Sequence, residues 1–178
     1  MKSRLIVITG NAGAGKSTLA QQLGSKYAAL VVSKDAIKER IFDELGSKDK
    51  TWSRKVSAVA HRIMDDLIKQ QLSMGASIIV ESNFKKEIDS ARFQAILKEH
   101  DAECIQILCH ADGKVLFERW KQRIANGTRH AGHVEEVGLD QIRRDLLLPY
   151  EPLDLPGKLI KIDTTNFDEL SLPDLDAA

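Results

Sequence analysis

Eight consecutive residues, Gly10-Asn11-Ala12-Gly13-Ala14-Gly15-Lys16-Ser17, fit the spacing G-x-x-x-x-G-K-[ST], and Thr18 follows them. The chemistry this spacing serves is the gripping of a polyphosphate. Glycines let successive backbone N–H groups turn inward around phosphate oxygens, and a helix opening near Lys16 aims the positive end of its dipole at the same charge. Lys16 would supply a cation for the β- and γ-phosphates of ATP, and the Ser17 hydroxyl a hard oxygen ligand for Mg2+. A plain glycine turn before a helix is the bland alternative. It fails on context, because the motif leaves the apolar run Leu5–Ile8 and enters an amphipathic pattern.

Other groups at telling spacings lie further along. Arg119 and Arg123 stand at i, i+4, so both guanidinium groups leave one helix face. The pair His130 and His133 invites a metal reading, but two histidines without a third ligand nearby do not make a zinc site. Asp43-Glu44-Leu45-Gly46 matches DxxG by letter yet sits in a helical pattern, and no NKxD follows, which excludes a GTPase. The absence of LSGGQ excludes an ABC-type ATPase.

Elements must position these groups. Short apolar runs, Leu5–Ile8, Leu30–Val32, Ile78–Val80, Ile105–Leu108 and Leu159–Ile162, are continuous rather than alternating, as in strands covered on both faces. Between them Leu19, Leu23 and Tyr27 recur at i+4. Val56, Val59, Ile63 and Leu67 predict one face of a long helix from about Ser53 to Met74, and Leu116, Trp120 and Ile124 predict another. Asp112 and Asp140 stand as helix N-caps. Strand alternating with helix predicts an α/β fold of three layers, with a five-stranded parallel sheet whose ligands sit at the carboxyl ends of the strands. The polar stretch 126–133 interrupts a helical pattern, and the acidic tail Ser171–Ala178 reads as frayed.

Composition narrows the class. The 178 residues suit one domain, 1–178, since domains run to roughly 150 residues. Lys+Arg and Asp+Glu are both 26, which argues against a broad nucleic-acid footprint or a polybasic membrane surface. No apolar stretch approaches the ~20 residues that span a bilayer, and Leu5–Ile8 is too short for a signal-peptide core. Cys104 and Cys109, at odd separation in a strand, point to opposite faces and cannot pair. Free thiols suit the cytoplasm.

Taken with Ser33-Lys34-Asp35-Ala36-Ile37-Lys38 and the region Arg119, Arg123, Arg129-His130, the phosphate-gripping segment resembles the P-loop kinases of the polynucleotide-kinase-like, chloramphenicol-phosphotransferase-like and zeta-toxin-like group, over nearly the whole chain. The resemblance implies a P-loop NTPase fold with a mobile lid at about residues 126–138, and transfer of the γ-phosphoryl group of ATP to a hydroxyl. It implies that Asp35 takes the acceptor's proton, a task its place beyond the second strand allows. Lys38, one helical turn on, would hold an acceptor anion, where relatives often carry Arg. Glu81, ending a strand where many relatives have Asp, would hold Mg2+ through water or meet substrate, and Asn83, just beyond it, would contact the substrate. In such kinases Arg119 would lie near the adenine, Arg123 would neutralise phosphate charge, and Arg129 would reach the transferred group as the lid closes. Thr164, after the last strand, falls where relatives wrap backbone around the adenine.

The acceptor stays open between a small molecule, favoured by the zero net charge and by the lack of room for a phosphatase half, and a nucleic-acid 5′-hydroxyl. Two rival classes share the pocket: an ATP-binding sensor module without phosphotransfer, and a toxin-like kinase acting on a sugar nucleotide. No membrane partner is expected, and the oligomeric state is left open.

Overall fold

The structure is a computed structural model that describes residues 2–133, 138–167 and 170–176. Five strands, β1 (Arg4–Gly10), β2 (Leu30–Ser33), β3 (Ile78–Glu81), β4 (Glu103–His110) and β5 (Lys158–Asp163), form one sheet in the order β2-β3-β1-β4-β5. Every neighbouring pair is parallel. Each apolar run predicted as a strand is one.

Alternation along β1 divides the core in two. Ile6 and Ile8 face one layer with Leu19, Leu23, Leu116, Trp120 and Ile142. These come from the helices α1 (Lys16–Tyr27), α5 (Gly113–Ala125) and α6 (Leu139–Leu147). Leu5 and Val7 face the other layer with Met64, Ile68, Phe93 and Leu97, from α3 (Lys50–Ser73) and α4 (Lys86–His100). The remaining helix, α2 (Lys34–Leu45), continues directly from β2. Cys104 and Cys109 are free and buried, one in each layer, as their odd separation requires. Burial pushes both thiols up to about 12. No described helix is long and apolar enough to cross a membrane.

Several sequence readings need correction. The face of α3 that packs on the sheet is Val56, Ala60, Met64, Ile68 and Leu72, an unbroken i+4 stripe. Val59 and Ile63 lie beside that stripe and are 48% and 38% exposed, while Leu67 packs only at its margin. Small Ala60 carries no periodicity signal of its own, although it lets the helix approach the strands. On α5, Ile124 lies past the buried pair Leu116 and Trp120 and is largely exposed. Asp112 does cap α5, accepting from the N–H of Lys114 at 2.8 Å. Asp140 does not cap α6: Gly138 stands there, and Asp140 falls in the first turn, where its charge complements the dipole. The edge strands β2 and β5 are not covered on both faces, so Leu30 and Leu159 are about two-fifths exposed, at 42% and 41%.

The tail up to Asp176 is docked rather than frayed. Leu175 is buried against the α1 layer. Its N–H donates to the Tyr27 hydroxyl at 2.8 Å, and Arg4 pairs with Asp176. Ala177 and Ala178 lie outside the described residues. Leu175→Ala should therefore cost about 2–3 kcal/mol of stability in urea unfolding. A frayed tail would make the same change cost under about 0.5 kcal/mol.

Candidate functional site

The phosphate-gripping segment leaves the carboxyl end of β1, the central strand. Gly13 and Gly15 hold φ of 81° and 72°, the left-handed conformation that lets consecutive amides turn to one side. Gly15 is also the N-cap of α1, and no side chain caps its first-turn amides. A Cβ on Gly15 would fall 2.5 Å from the ring of Phe167, so the aromatic side chain lies directly on this turn.

Lys16 is buried, and its ammonium donates to the Asn11 carbonyl at 2.8 Å, folding the side chain over the loop. Burial lowers its pKa, opposed by the charges of Glu81 and Asp35 and lowered further by Arg123. Glu81 is 3% exposed. Strand register explains its position, since it pairs with Ile8 just before the loop, and the Ser17 hydroxyl donates to its Oε1 at 3.0 Å. A buried carboxylate bonded to a serine hydroxyl is a hard-oxygen donor set, which fits Mg2+ better than a softer metal. Among the described residues no group of three or more His, Cys, Asp or Glu is placed to hold a metal ion, and His130 and His133 meet Asp43 and Glu39 instead. Asn11, Ala12, Ala14 and Thr18 stay with the loop and the first turn of α1, as the motif requires. Asn83 is exposed beyond β3 and accepts from the Ser82 hydroxyl at 3.3 Å.

On the neighbouring edge, β2 hands over to α2 through Ser33, whose hydroxyl accepts from the Ala36 N–H. Asp35 sits in the first turn, where the helix dipole favours its anion. The Lys34 ammonium lies 3.0 Å from its Oδ1. Burial works to raise the Asp35 pKa, but Lys34 outweighs it, with His133 and Lys16 helping, and the net shift is downward. Asp35 is therefore ionised at neutral pH, able to accept a hydrogen bond but weakly basic. Lys38 is 8% exposed, and its ammonium lies 5.4 Å from the centre of the Phe42 ring. Burial lowers its pKa, and so do Lys34 and Arg129, while the Asp35 charge works the other way. Neither a carboxylate nor a hydrogen-bond acceptor meets that ammonium among the described residues.

Arg119 does not project freely. Its guanidinium donates to the carbonyls of Thr164 at 2.9 Å, Thr165 at 3.2 Å and Gly13 at 3.4 Å, tying the loop after β5 to the loop after β1. The Thr164 side chain is fully buried and committed: its hydroxyl lies 3.1 Å from the Ala14 carbonyl and 3.0 Å from that of His110. Arg123 is exposed at the end of α5, where its carbonyl accepts from the N–H groups of Thr128 and Arg129 at 3.0 and 3.2 Å. Of the expected lid, 126–138, residues 134–137 lie outside the described residues. The described part, 126–133, crosses to α2, where His133 meets Glu39 at 2.7 Å and His130 meets Asp43 at 3.0 Å.

Glu39, Phe42 and Phe167 were absent from the sequence reading, Lys34 stood there only within the stretch around Asp35, and Asp43 only in the rejected DxxG match. Lys34 adjoins Asp35 and was legible as a partner. Nothing local places residue 39 beside residue 133.

A five-stranded parallel sheet with this loop at the end of its central strand is a P-loop NTPase fold of the kinase-like kind. Residues 5–149 match the AAA domain family AAA_33, and the chain belongs to that family. A Chloroflexus aurantiacus structure presented as a candidate kinase is 37% identical, with a TM-score of 0.86 over 96% of this chain and 90% of that one. The Mycobacterium tuberculosis APS kinase CysC, in complex with AMPPNP and APS, shares the fold at 15% identity and TM-score 0.60, over 96% of this chain and 91% of its own. A Sinorhizobium meliloti gluconokinase does so at 17% identity and TM-score 0.50, over 91% and 82%. No curated protein matches the chain by sequence.

Since Arg119 joins two loops through three carbonyls, Arg119→Gln should lower stability by about 1–2 kcal/mol without any nucleotide present. Thermal melting of the apo protein checks this. An unchanged melting temperature would mean that the side chain serves only a ligand.

Proposed function

We propose that the protein is an ATP-dependent kinase that phosphorylates a hydroxyl group. The observation that carries this reading is the Asp35 carboxylate, kept ionised by Lys34, on the same sheet edge as the Lys16 cradle and close enough for each charge to shift the other. The backbone amides of Gly10–Ser17 and the Lys16 ammonium hold the β- and γ-phosphates, with Thr18 in the same first helical turn. Arg123 and Arg129 add positive charge from the lid side. Ser17, with Glu81 through water, would hold Mg2+, which would supply charge neutralisation on the phosphate oxygens. The loop around Thr164, fastened by Arg119, borders the base.

Asp35 accepts the hydrogen bond of the acceptor O–H and aligns the oxygen for in-line attack on the γ-phosphorus. As the new O–P bond forms, the bond to ADP breaks and the proton passes to the carboxylate. The downward shift of Asp35 makes alignment its larger contribution and proton abstraction the smaller. Asn83 and Lys38 border the acceptor.

Two buried lysines, Lys34 and Lys38, stand in the first turns of α2 with Asp35, and Lys38 has no bonded carboxylate among the described residues. A buried ammonium without a bonded carboxylate is costly, and Asp35 offsets the Lys38 charge only from a distance. That cost is offset by an acceptor bearing a phosphate, carboxylate or sulfate, and a small anionic alcohol suits a site with no broad basic surface around it. APS kinase and gluconokinase among the fold relatives are named for small hydroxyl compounds. A nucleic-acid 5′-hydroxyl is the second choice.

Asp35→Asn should retain binding of a non-hydrolysable ATP analogue while losing about 10²–10⁴-fold in acceptor-dependent ADP release. Unchanged turnover would remove Asp35 from the chemistry. Lys16→Ala should lose analogue affinity and rate together, and calorimetry giving the wild-type affinity would contradict the cradle.

A further inference from the structure

One stripe of α2 carries more than Asp35. Residues 35, 38, 39 and 42 recur at i+3 and i+4, so Asp35, Lys38, Glu39 and Phe42 share a face, and Asp43 lies beside it. The segment 126–133 is seated on the far part of this face. His133 Nε2 lies 2.7 Å from Glu39 Oε1, and His130 Nε2 lies 3.0 Å from Asp43 Oδ1. Buried Phe42 is the floor: the His130 ring stacks on it at 5.9 Å and 18°, and the His133 ring meets it edge-on at 6.4 Å. Gly132 fits between the two histidines because a Cβ there would fall 2.2 Å from the Phe42 ring.

The hydrogen bonds settle the His130 tautomer. The Gly132 N–H donates to His130 Nδ1 at 2.9 Å, so that nitrogen carries the lone pair and Nε2–H donates to Asp43. One imidazole therefore closes a turn within the segment and fastens it to the helix. The other end of the segment is fixed too, through the Arg123 carbonyl that accepts from Arg129 N–H. A span of a few residues thus links Arg123 at the end of α5 to the helix that carries Asp35 in its first turn.

We infer that Glu39 and Asp43 are the docking residues for this segment, and that seating His133 and His130 on them over Phe42 completes the acceptor site for transfer. Glu39 and His133 act as positioning residues: they touch neither nucleotide nor acceptor, but fix where Arg129 stands relative to Asp35 and Lys38. The inference rests on the kinase reading for its effect on rate, but the docking contact stands on its own geometry. Placement errors of an ångström or so in such a constellation are worth up to about a hundredfold in rate.

Four proteins test it: Glu39→Ala, His133→Ala, their double variant, and the exchange Glu39→His with His133→Glu. Each is assayed for kcat and KM with an anionic hydroxyl acceptor, for analogue affinity, and for amide hydrogen exchange at residues 128–133. The single variants should lose roughly tenfold to a hundredfold in kcat with analogue affinity within about twofold of wild type, and exchange should quicken at 128–133. The double variant should be no worse than either single, and the exchanged pair should recover part of the loss. Single losses that multiply in the double variant, or exchange rates like those of the wild type, would overturn the docking role. If the wild-type protein releases no ADP in response to any acceptor, the kinase reading falls, and the exchange rates alone decide whether the seat exists.

Discussion

Burial of two opposite charges at the carboxyl edge of a parallel sheet is the constraint on which the rest depends. The Lys16 ammonium and the Glu81 carboxylate are both withdrawn from water, and either alone would cost several kcal/mol. Lys16 is held to the Asn11 carbonyl and Glu81 to the Ser17 hydroxyl, with each charge easing the burial of the other. The arrangement is possible because β3 and β1 are adjacent and parallel, so one register sets Glu81 beside Ile8 as the chain turns into the glycine-rich loop. A slip of one residue would carry the carboxylate to the opposite layer.

The same edge sets a second polar constellation beside the first. The chain passes from β2 into α2 with no intervening loop, which leaves Asp35 at a helix N-terminus and the paired Lys34 beside it. Two walls then close the space. Arg119 and Thr164 lock the loop after β5 against the P-loop through carbonyls and a buried hydroxyl. The segment after α5 reaches the far end of α2 through two histidines. Several contacts thus gather around the P-loop, and fewer, spread along one helix face, reach the Asp35 side.

Much of this was legible in the residues. The strands were marked by continuous apolar runs, because a strand buried on both faces leaves nothing to alternate, and the loop by its glycines and Lys16. The turn of α3 was misjudged by one position because Ala60 is too small to register in a hydrophobic pattern, while Val59 and Ile63, though apolar, face out. The tail looked frayed because its acids and Pro173 are local signals, whereas Leu175 is fixed by the distant Tyr27. Likewise Arg119 and Arg123 were legible as a pair on one helix, but three carbonyls from two separate loops decide what Arg119 does. Contacts of high sequence separation, such as Glu39 with His133, leave no trace in either stretch taken alone.

A structure bound to a non-hydrolysable ATP analogue and Mg2+ tests the central claim most directly. The account predicts the terminal phosphate inside the ring of P-loop amides against Lys16, with the nearer Asp35 carboxylate oxygen roughly 6 Å from the γ-phosphorus. That gap admits one hydroxyl oxygen at about 2.7 Å from the carboxylate and about 3.3 Å from phosphorus. A carboxylate turned away, or a gap so wide that no single oxygen could bridge it, would contradict the proposed transfer and leave only a nucleotide-binding fold.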